Sequence, residues 1–176
     1  MAGARFNDSV PCYPNRAMSR KSPKPQVTQF PPDARVAVVA ARFNEEIVNE
    51  LLEGCLRRIG QLGLDESRVD VHRVPGAFEL PLAARLLART KRFNAVICLG
   101  CVIRGDTPHF DYVAGECARG LQRVALDEAV PVIFGVLTTN TEEQARQRIG
   151  GSHGHAGERA ADAAAEMIVL AASVRT

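Results

Sequence analysis

From Arg35 onward, the hydrophobic positions follow two patterns that alternate along the chain. Short continuous apolar runs, the first of which is VAVVA at residues 36–40, are typical of strands that are buried on both faces of a sheet. Between these runs, apolar residues recur every three or four positions, which is the spacing of a helix with one buried face. The predicted strands cover residues 36–40, 69–74, 95–99 and 132–137, and the predicted helices cover residues 45–62, 81–91, 112–127, 142–148 and 158–172.

The first and last predicted helices carry the clearest signals. Asn44 is placed to cap the first helix, Glu45 and Glu46 favour the positive end of its dipole, and Gly63 ends it. The last helix is expected to bury one stripe of small and branched side chains, which consists of Ala161, Ala164, Ala165, Ile168, Val169 and Ala172.

Strands that alternate with helices predict an α/β fold, namely a flavodoxin-like three-layer αβα sandwich with a four-stranded parallel sheet. In such sheets, ligands bind beyond the carboxyl ends of the strands. The segments that follow the four predicted strands are rich in glycine and polar residues, and they comprise residues 41–44, 75–79, 100–109 and 138–140. We therefore expect the functional site at this edge of the sheet.

Residues 1–34 differ in composition from the rest of the chain. They contain six of the ten prolines and show no apolar periodicity, so we expect a disordered or extended tail, followed by one domain over residues 35–176. A targeting peptide is the alternative, but the tail lacks the apolar region of a secretion signal, and its prolines disfavour an amphipathic transit helix. Met18 offers a second start, which the sequence leaves open.

Composition and charge narrow the class of protein. With 176 residues, 46% of them apolar and 24% charged, the chain is typical of a soluble domain, and no uncharged apolar stretch is long enough to span a membrane. The net charge of +2 divides into +3 for residues 1–34 and −1 for the remaining 142, so nucleic-acid binding is not expected. Five cysteines, an odd number without a secretion signal, predict reduced thiols and a cytoplasmic location.

Two segments near the predicted strand ends carry candidate chemistry. The long loop predicted after the third strand contains His109, which can exchange a proton near neutral pH, and Gly105 and Thr107, which suit an anion such as phosphate. Arg148 precedes the glycine-rich run 150–157 and the last helix, a combination that suits phosphate but lacks the lysine of a P-loop. The alternative for His109 is an ordinary surface histidine, and the alternative for the glycine-rich run is a flexible connection to the last helix.

Two further pairs of residues match weak motifs. Cys98 and Cys101 match a C-x-x-C redox motif, but Cys98 lies inside an apolar strand, so core packing is the favoured interpretation. His153 and His155 lack the accompanying carboxylate or thiol ligands of a metal site, so no metal is expected there.

Three phenylalanines lie on or beside the predicted strands. Phe43 and Phe78 follow strands, where they can stack on a flat heterocycle, and Phe134, within the fourth strand, can reach the same space from above or from a neighbour. Packing in the core is the alternative for each of them. Glu79, directly after Phe78, begins a helix, and stabilising the dipole of that helix is its simplest role.

The motifs at these strand ends together resemble one family. The resemblance runs over residues 35–170 and rests on the segments ARFN at 41–44, VPGAFELP at 74–81, LGCVIRGDTPHFDY at 99–112, VPVIFGVLTT at 130–139 and EQA at 143–145. In this order they are similar to the 6,7-dimethyl-8-ribityllumazine synthase family, which acts at the penultimate step of riboflavin synthesis. Several long motifs in one order are far more specific than any one of them.

The resemblance implies a transferase that joins 5-amino-6-ribitylaminouracil to 3,4-dihydroxy-2-butanone 4-phosphate and releases phosphate and water, without a metal or organic cofactor. It implies that His109 is catalytic and that Arg148 supplies the main positive charge for the phosphate. It also implies a set of substrate-binding residues. Phe43 is expected to stack on the pyrimidine, and Ala77, Phe78 and Glu79 are expected to hold the ribityl side and the ring. The backbone of Cys101, Val102 and Ile103 is expected to line the pocket, Asp106 and Thr107 to contact the phosphate, and Phe134 to come from the adjoining subunit.

The family assembles as pentamers, often twelve of them in a hollow 60-subunit capsid, so the resemblance implies a homo-oligomer with active sites between subunits. In this family, the segment before the first strand commonly adds to a neighbour's sheet.

The sequence departs from the family pattern at Ser152 and Ala156, which stand where many members have lysines, one of which assists phosphate binding. His153 or His155 is then a candidate for the missing charge. A non-catalytic shell protein that binds a flavin or lumazine stays open as the alternative function.

Overall fold

A computed structural model describes residues 25–26 and 29–174 of the chain. In chain order, the elements are β1 (Val36–Ala41), α1 (Glu45–Gln61), β2 (Val69–Val74), α2 (Leu80–Arg89), β3 (Ala95–Ile103), α3 (His109–Glu128), β4 (Val132–Thr139), α4 (Glu142–Arg146), β5 (Ile149–Gly151), β6 (Gly154–His155) and α5 (Ala156–Ser173). Most of the expected tail over residues 1–34 lies outside the described residues. Among the described residues, no helix is both long enough and apolar enough to cross a membrane.

Strands β1 to β4 form one sheet in which every pairing is parallel, in the spatial order β2-β1-β3-β4. Helices α1 and α5 pack on one face of the sheet, and α2 and α3 pack on the other. The prediction of a flavodoxin-like three-layer α/β fold is therefore confirmed. Because the strand order reverses between β1 and β3, a crevice forms beyond the carboxyl ends of these two strands.

The continuous apolar run of β1 reflects this layering. Val36, Val38 and Ala40 pack with the core under α1 and α5, whereas Ala37 and Val39 pack with the core under α2 and α3. Side chains alternate between the faces of a sheet, so a strand covered on both sides has no solvent-facing position for a polar residue.

Helix α5 packs closely against α1 because small residues line the contact. A Cβ atom at Gly157 would collide with the backbone carbonyl oxygen of Leu51, so only glycine allows this approach. The buried stripe of α5 consists of Gly157, Ala160, Ala161, Ala164, Ala165 and Ile168. The expectation that Val169 and Ala172 belong to this stripe is wrong, since both are exposed. The last turn of α5 lies beside residues that precede the strands, beyond the end of the sheet.

The loop predicted over residues 100–109 is much shorter in the structure. Strand β3 continues to Ile103, which pairs with Thr139 of the equally extended β4. Helix α3 begins at His109, directly after Pro108, rather than at residue 112. The hydrogen bonds of the neighbouring strand prolong β3, an effect that the apolar pattern of β3 alone did not indicate. His109 is thus the first residue of a helix rather than a loop residue.

The glycine-rich run 150–157 also differs from its prediction. Its first part forms a short antiparallel hairpin, β5–β6, and α5 begins at Ala156, before the predicted start at residue 158. Gly150 and Gly154 adopt positive φ angles of 113° and 71°, which other residues rarely adopt. The run is therefore an ordered turn and not an irregular connection.

Ordered contacts also exist before Arg35. Phe30 is only 5% exposed and packs with the core under α1 and α5, and its backbone N–H donates to the carbonyl oxygen of Leu62 at 2.8 Å. Ala34 is buried in the same core. The expectation that the segment before β1 adds to a neighbour's sheet stays a prediction.

Candidate functional site

A cavity of about 430 Å³ opens beyond the carboxyl ends of β1, β2 and β3, and we call it the His109 cavity. Its volume lies in the range of small-molecule sites, and its position is the one expected from the reversal of strand order. Nine of the twelve sequence-predicted site residues line it, namely Phe43, Ala77, Phe78, Glu79, Cys101, Val102, Ile103, Thr107 and His109. Asp106, Phe134 and Arg148 do not.

The two phenylalanines of the His109 cavity are held on turns that follow strands. The backbone N–H groups of Arg42 and Phe43 donate to the carbonyl oxygens of Val74 and Pro75, at 2.8 and 3.0 Å, which joins the end of β1 to the end of β2. Phe43 is 71% exposed and Phe78 is 57% exposed. Such rings are not packed into the core of the chain, so the core-packing alternative fails for both, and their faces are available for stacking.

Asn44 has a different role from the predicted helix cap. Its backbone is left-handed, with φ 56°, and its side chain makes no capping hydrogen bond to α1. Instead, Nδ2 donates to the carbonyl oxygen of Cys101 at 2.9 Å. Asparagine tolerates this backbone conformation better than most residues. The side chain therefore ties the end of β1 to β3 across the crevice.

Glu79 contributes a carboxylate to the cavity and also shapes the turn that carries Phe78. Its Oε2 accepts a hydrogen bond from the backbone N–H of Gly76 at 2.8 Å and makes no side-chain cap of α2. Glu79 thereby caps the short 3₁₀ turn Ala77–Glu79, and its expected effect on the dipole of the following helix stays a prediction.

The first turn of α3 brings His109 to the cavity wall. The exposed imidazole stands beside Thr107 and Gly105, which also line the cavity, whereas the neighbouring Asp106 does not. The unpaired N–H groups at the start of a long helix favour negative charge nearby. A proton-exchanging group, a hydroxyl and a helix N-terminus thus meet at one side of the cavity.

Arg104 supports this side of the cavity, and the sequence reasoning missed it. Its guanidinium lies 4.1 Å from the centre of the Phe110 ring, which lines the cavity, and donates to Asp111 at 2.9 Å and Asn140 at 3.2 Å. The hydrogen bond from Arg104 also lowers the pKa of Asp111. The signal in the sequence for this ion pair was the presence of a basic residue, Arg104, and an acidic residue, Asp111, on either side of the segment between β3 and α3.

The C-x-x-C pair is part of the core, in agreement with the favoured interpretation. Cys98 packs on the α2 and α3 side of the sheet, whereas Cys101 packs on the α1 and α5 side. Burial raises the pKa of the Cys101 thiol to about 11 and also raises that of Cys98. Within the described part of the chain, no group of three or more His, Cys, Asp or Glu side chains is arranged to hold a metal ion.

Phe134 and Arg148 line a second cavity of about 360 Å³ beside the edge strand β4, which we call the Arg148 cavity. Phe134 is 45% exposed there, so it too is not packed into the core. Ala156 and Arg159 of α5 complete the wall on the helix side. Arg148 is half-buried, and its Nη1 donates to the carbonyl oxygen of Gln144 at 2.6 Å. One chain therefore does not bring Phe134 and Arg148 into the cavity that holds His109.

The phosphate cradle predicted in the glycine-rich run stays a prediction. Gly150, Gly151 and Gly154 belong to the β5–β6 hairpin and do not line the Arg148 cavity. His153 lies beside the Ser152 hydroxyl, and His155 packs against Gly54 of α1, where burial lowers its pKa. Neither histidine lines this cavity, so its position does not favour either as a substitute for a lysine.

The similarity of the chain to known proteins covers both cavities. Residues 33–172 of the chain match the family model described as 6,7-dimethyl-8-ribityllumazine synthase. The matched range extends from before β1 into the last turns of α5, and it includes every residue that lines the two cavities.

Proposed function

Because the chain belongs to the 6,7-dimethyl-8-ribityllumazine synthase family, which are transferases of riboflavin biosynthesis, we propose that it makes 6,7-dimethyl-8-ribityllumazine. The substrates are 5-amino-6-(D-ribitylamino)uracil and 3,4-dihydroxy-2-butanone 4-phosphate, and phosphate and water are released. The observation that carries this proposal is the His109 cavity, where two exposed aromatic rings and a histidine line one space of small-molecule size.

The pyrimidine substrate fits the aromatic side of the cavity. Phe43 offers a free ring face for stacking on the flat heterocycle, and Phe78 encloses the same space. The Glu79 carboxylate accepts hydrogen bonds from hydroxyl or N–H groups of the ribityl side, while Val102 and Ile103 form the strand wall. The pyrimidine is thereby held with its reactive amine toward the start of α3.

His109 performs proton transfers in this scheme. The amine attacks the ketone and forms an imine with loss of water, and a proton beside the imine is removed as phosphate leaves. The resulting enol takes up a proton to give a carbonyl, and the second nitrogen attacks this carbonyl and closes the ring with loss of a second water. Each step moves a proton, which a histidine near neutral pH can take and return. Holding two substrates side by side also removes a large entropic barrier. The amine substrate itself supplies the imine nitrogen, so we propose no metal or organic cofactor.

The phosphate end requires residues from both cavities. Thr107, which lines the His109 cavity, and its neighbour Asp106 lie just before α3, whereas Phe134 of β4 and Arg148 line the other cavity. We therefore propose a homo-oligomer in which the Arg148 cavity of one subunit faces the His109 cavity of the next. A ring of such head-to-tail contacts closes into a pentamer, and a capsid of twelve pentamers is the larger alternative.

Mixing the purified protein with both substrates tests the proposed reaction. We expect the absorbance and fluorescence of the lumazine product to appear, with one phosphate released per product. Binding of the lumazine without turnover would instead support a non-catalytic shell protein. Light scattering on the same sample separates the assemblies, because a 60-mer has twelve times the mass of a pentamer.

Co-expression of two impaired variants, assayed at a butanone phosphate concentration well below the wild-type KM, tests the shared site. Chains with His109→Ala and chains with Arg148→Ala, mixed in equal amounts within one oligomer, leave about a quarter of the interfaces with both native residues. We expect that share of the wild-type activity to return. A double variant in a single chain, co-expressed with itself, is the matched control and should stay inactive. No recovery in the mixed oligomers would contradict a site shared between subunits.

A further inference from the structure

We propose that Arg159 is a second phosphate-binding residue, which acts with Arg148 on the phosphate group of the butanone substrate. This inference rests on the proposed function, since the function supplies the anion. The sequence reasoning did not single out Arg159, because it lies inside an alanine-rich helix and outside the motifs at the strand ends.

The position of Arg159 on α5 directs it to the Arg148 cavity. Ala156, Arg159, Ala160 and Ala163 recur at helical spacing and all line this cavity. Three of the four carry only a methyl group. The helix therefore presents to the cavity a surface of small side chains with a single long cationic one.

Both guanidinium groups are held in place by the backbone. Nη1 of Arg159 donates to the carbonyl oxygen of His153 at 2.9 Å, and Nη1 of Arg148 donates to that of Gln144 at 2.6 Å. A guanidinium has five N–H donors, so each group retains donors for a ligand. Gly154 makes room for this arrangement, because a Cβ atom there would lie 3.1 Å from Nη1 of Arg159.

The acidic residues around Arg159 are engaged on the opposite side of α5. Glu158 accepts from Arg57 at 2.7 Å, and Asp162 accepts from Arg58 at 2.8 Å, so both carboxylates are directed to α1. Over residues 29–174, neither Arg148 nor Arg159 forms an ion pair with a carboxylate.

Two half-buried guanidinium groups without a counter-ion in one cavity favour an anion with several acceptor oxygens. A phosphate monoester is such an anion, and arginine binds it through paired N–H donors. The exposed ring of Phe134 borders the same cavity, so a phosphate bound there would lie beside an aromatic surface. Unlike a histidine, a guanidinium keeps its charge throughout the physiological pH range.

Thermal unfolding in the presence of inorganic phosphate tests this site without relying on catalysis. We expect phosphate to raise the Tm of the wild-type protein, and we expect Arg159→Gln to require on the order of tenfold more phosphate for the same shift. Arg123→Gln is the matched control, since Arg123 is an exposed arginine on α3 outside both cavities. Arg159→Lys retains the charge and should recover part of the phosphate response.

Steady-state kinetics separates failure of this inference from failure of the proposed function. Arg159→Gln should raise KM for the butanone phosphate about tenfold and leave KM for the pyrimidine unchanged. If the wild-type protein makes lumazine but Arg159→Gln alters neither this KM nor the phosphate response, the role of Arg159 is wrong and the proposed function stands. If the wild-type protein makes no lumazine but its phosphate response depends on Arg148 and Arg159, the proposed function is wrong and the role of Arg159 in phosphate binding stands. A wild-type Tm that does not respond to phosphate also contradicts the inference.

Discussion

The His109 cavity and the Arg148 cavity divide the candidate site into two parts with different chemistry. The His109 cavity is mostly apolar and aromatic, and its polar side chains include the His109 imidazole and the Glu79 carboxylate. The Arg148 cavity contains two guanidinium groups and one exposed phenylalanine ring. One part is suited to a flat ring and proton transfer, whereas the other is suited to an anion.

The two cavities also differ in how the chain builds them. Residues of the His109 cavity come from the end of β3, the first turns of α3 and the short segments that follow β1, β2 and β3, and most of these regions carry several of them. Residues of the Arg148 cavity come from the edge strand β4, the first turns of α5 and Arg148, which lies between α4 and β5. The docking of α5 on α1 therefore decides the shape of the second cavity but not that of the first.

Replacement of His109 should have the largest effect and should affect turnover alone. We expect His109→Ala to lower kcat about 100- to 10,000-fold, because the proton transfers lose their general acid and base. KM for either substrate should change little, since the aromatic and cationic groups are retained. His72→Ala is the control, as His72 is an exposed histidine of β2 outside both cavities. An unchanged kcat in His109→Ala would remove this residue from the mechanism.

Replacement of Gly157 should disrupt the Arg148 cavity indirectly, because it disturbs the packing of α5 against α1. A methyl group at this position meets the backbone of Leu51, so Gly157→Ala should lower the free energy of unfolding by about 3 kcal/mol. Gly60→Ala is the matched control, because a Cβ atom there meets nothing within 4 Å, and it should stabilise α1 by roughly 0.5 kcal/mol or more. Chemical denaturation measures both, and equal stabilities would contradict the close packing of α1 and α5.

Replacement of Arg148 should affect the binding of one substrate only. We expect Arg148→Ala to raise KM for the butanone phosphate on the order of tenfold, because a charge-assisted hydrogen bond to phosphate is lost. KM for the pyrimidine should stay within about twofold of the wild-type value if the two cavities bind different parts of the substrates. An unaltered KM for the phosphate substrate would refute the assignment of Arg148.

Replacement of Glu128, outside both cavities, should have the smallest effect. Hydrogen bonds from Arg89 and Arg85 lower the pKa of Glu128, so the ion pairs stabilise the fold above the usual glutamate pKa and lose this contribution as the pH falls through the lowered value. We expect Glu128→Gln to lower Tm by no more than about 3 °C at pH 7, with a smaller difference at acidic pH. A Tm difference that grew toward acidic pH, or a changed KM, would contradict this view.

Much of the fold was predictable because apolar spacing directly reflects burial. The strands, the long helices and the parallel three-layer arrangement all follow from which positions avoid water, and the family recognised from the strand-end motifs is confirmed by the match over residues 33–172. Nine of the expected site residues share one cavity for the same reason, since the ends of neighbouring parallel strands necessarily meet. The roles assigned to those residues remain predictions.

The tertiary structure decided what depends on contacts between distant segments. Pairing with β4 prolonged β3 and moved His109 from a loop to the start of a helix. Asn44 donates to Cys101 rather than capping α1, because the end of β3 lies within its reach. Arg148 and Arg159 face one cavity because α5 docks on α1 through glycine and alanine. Periodicity along a chain records which side of an element is buried, but it does not record which partner lies opposite.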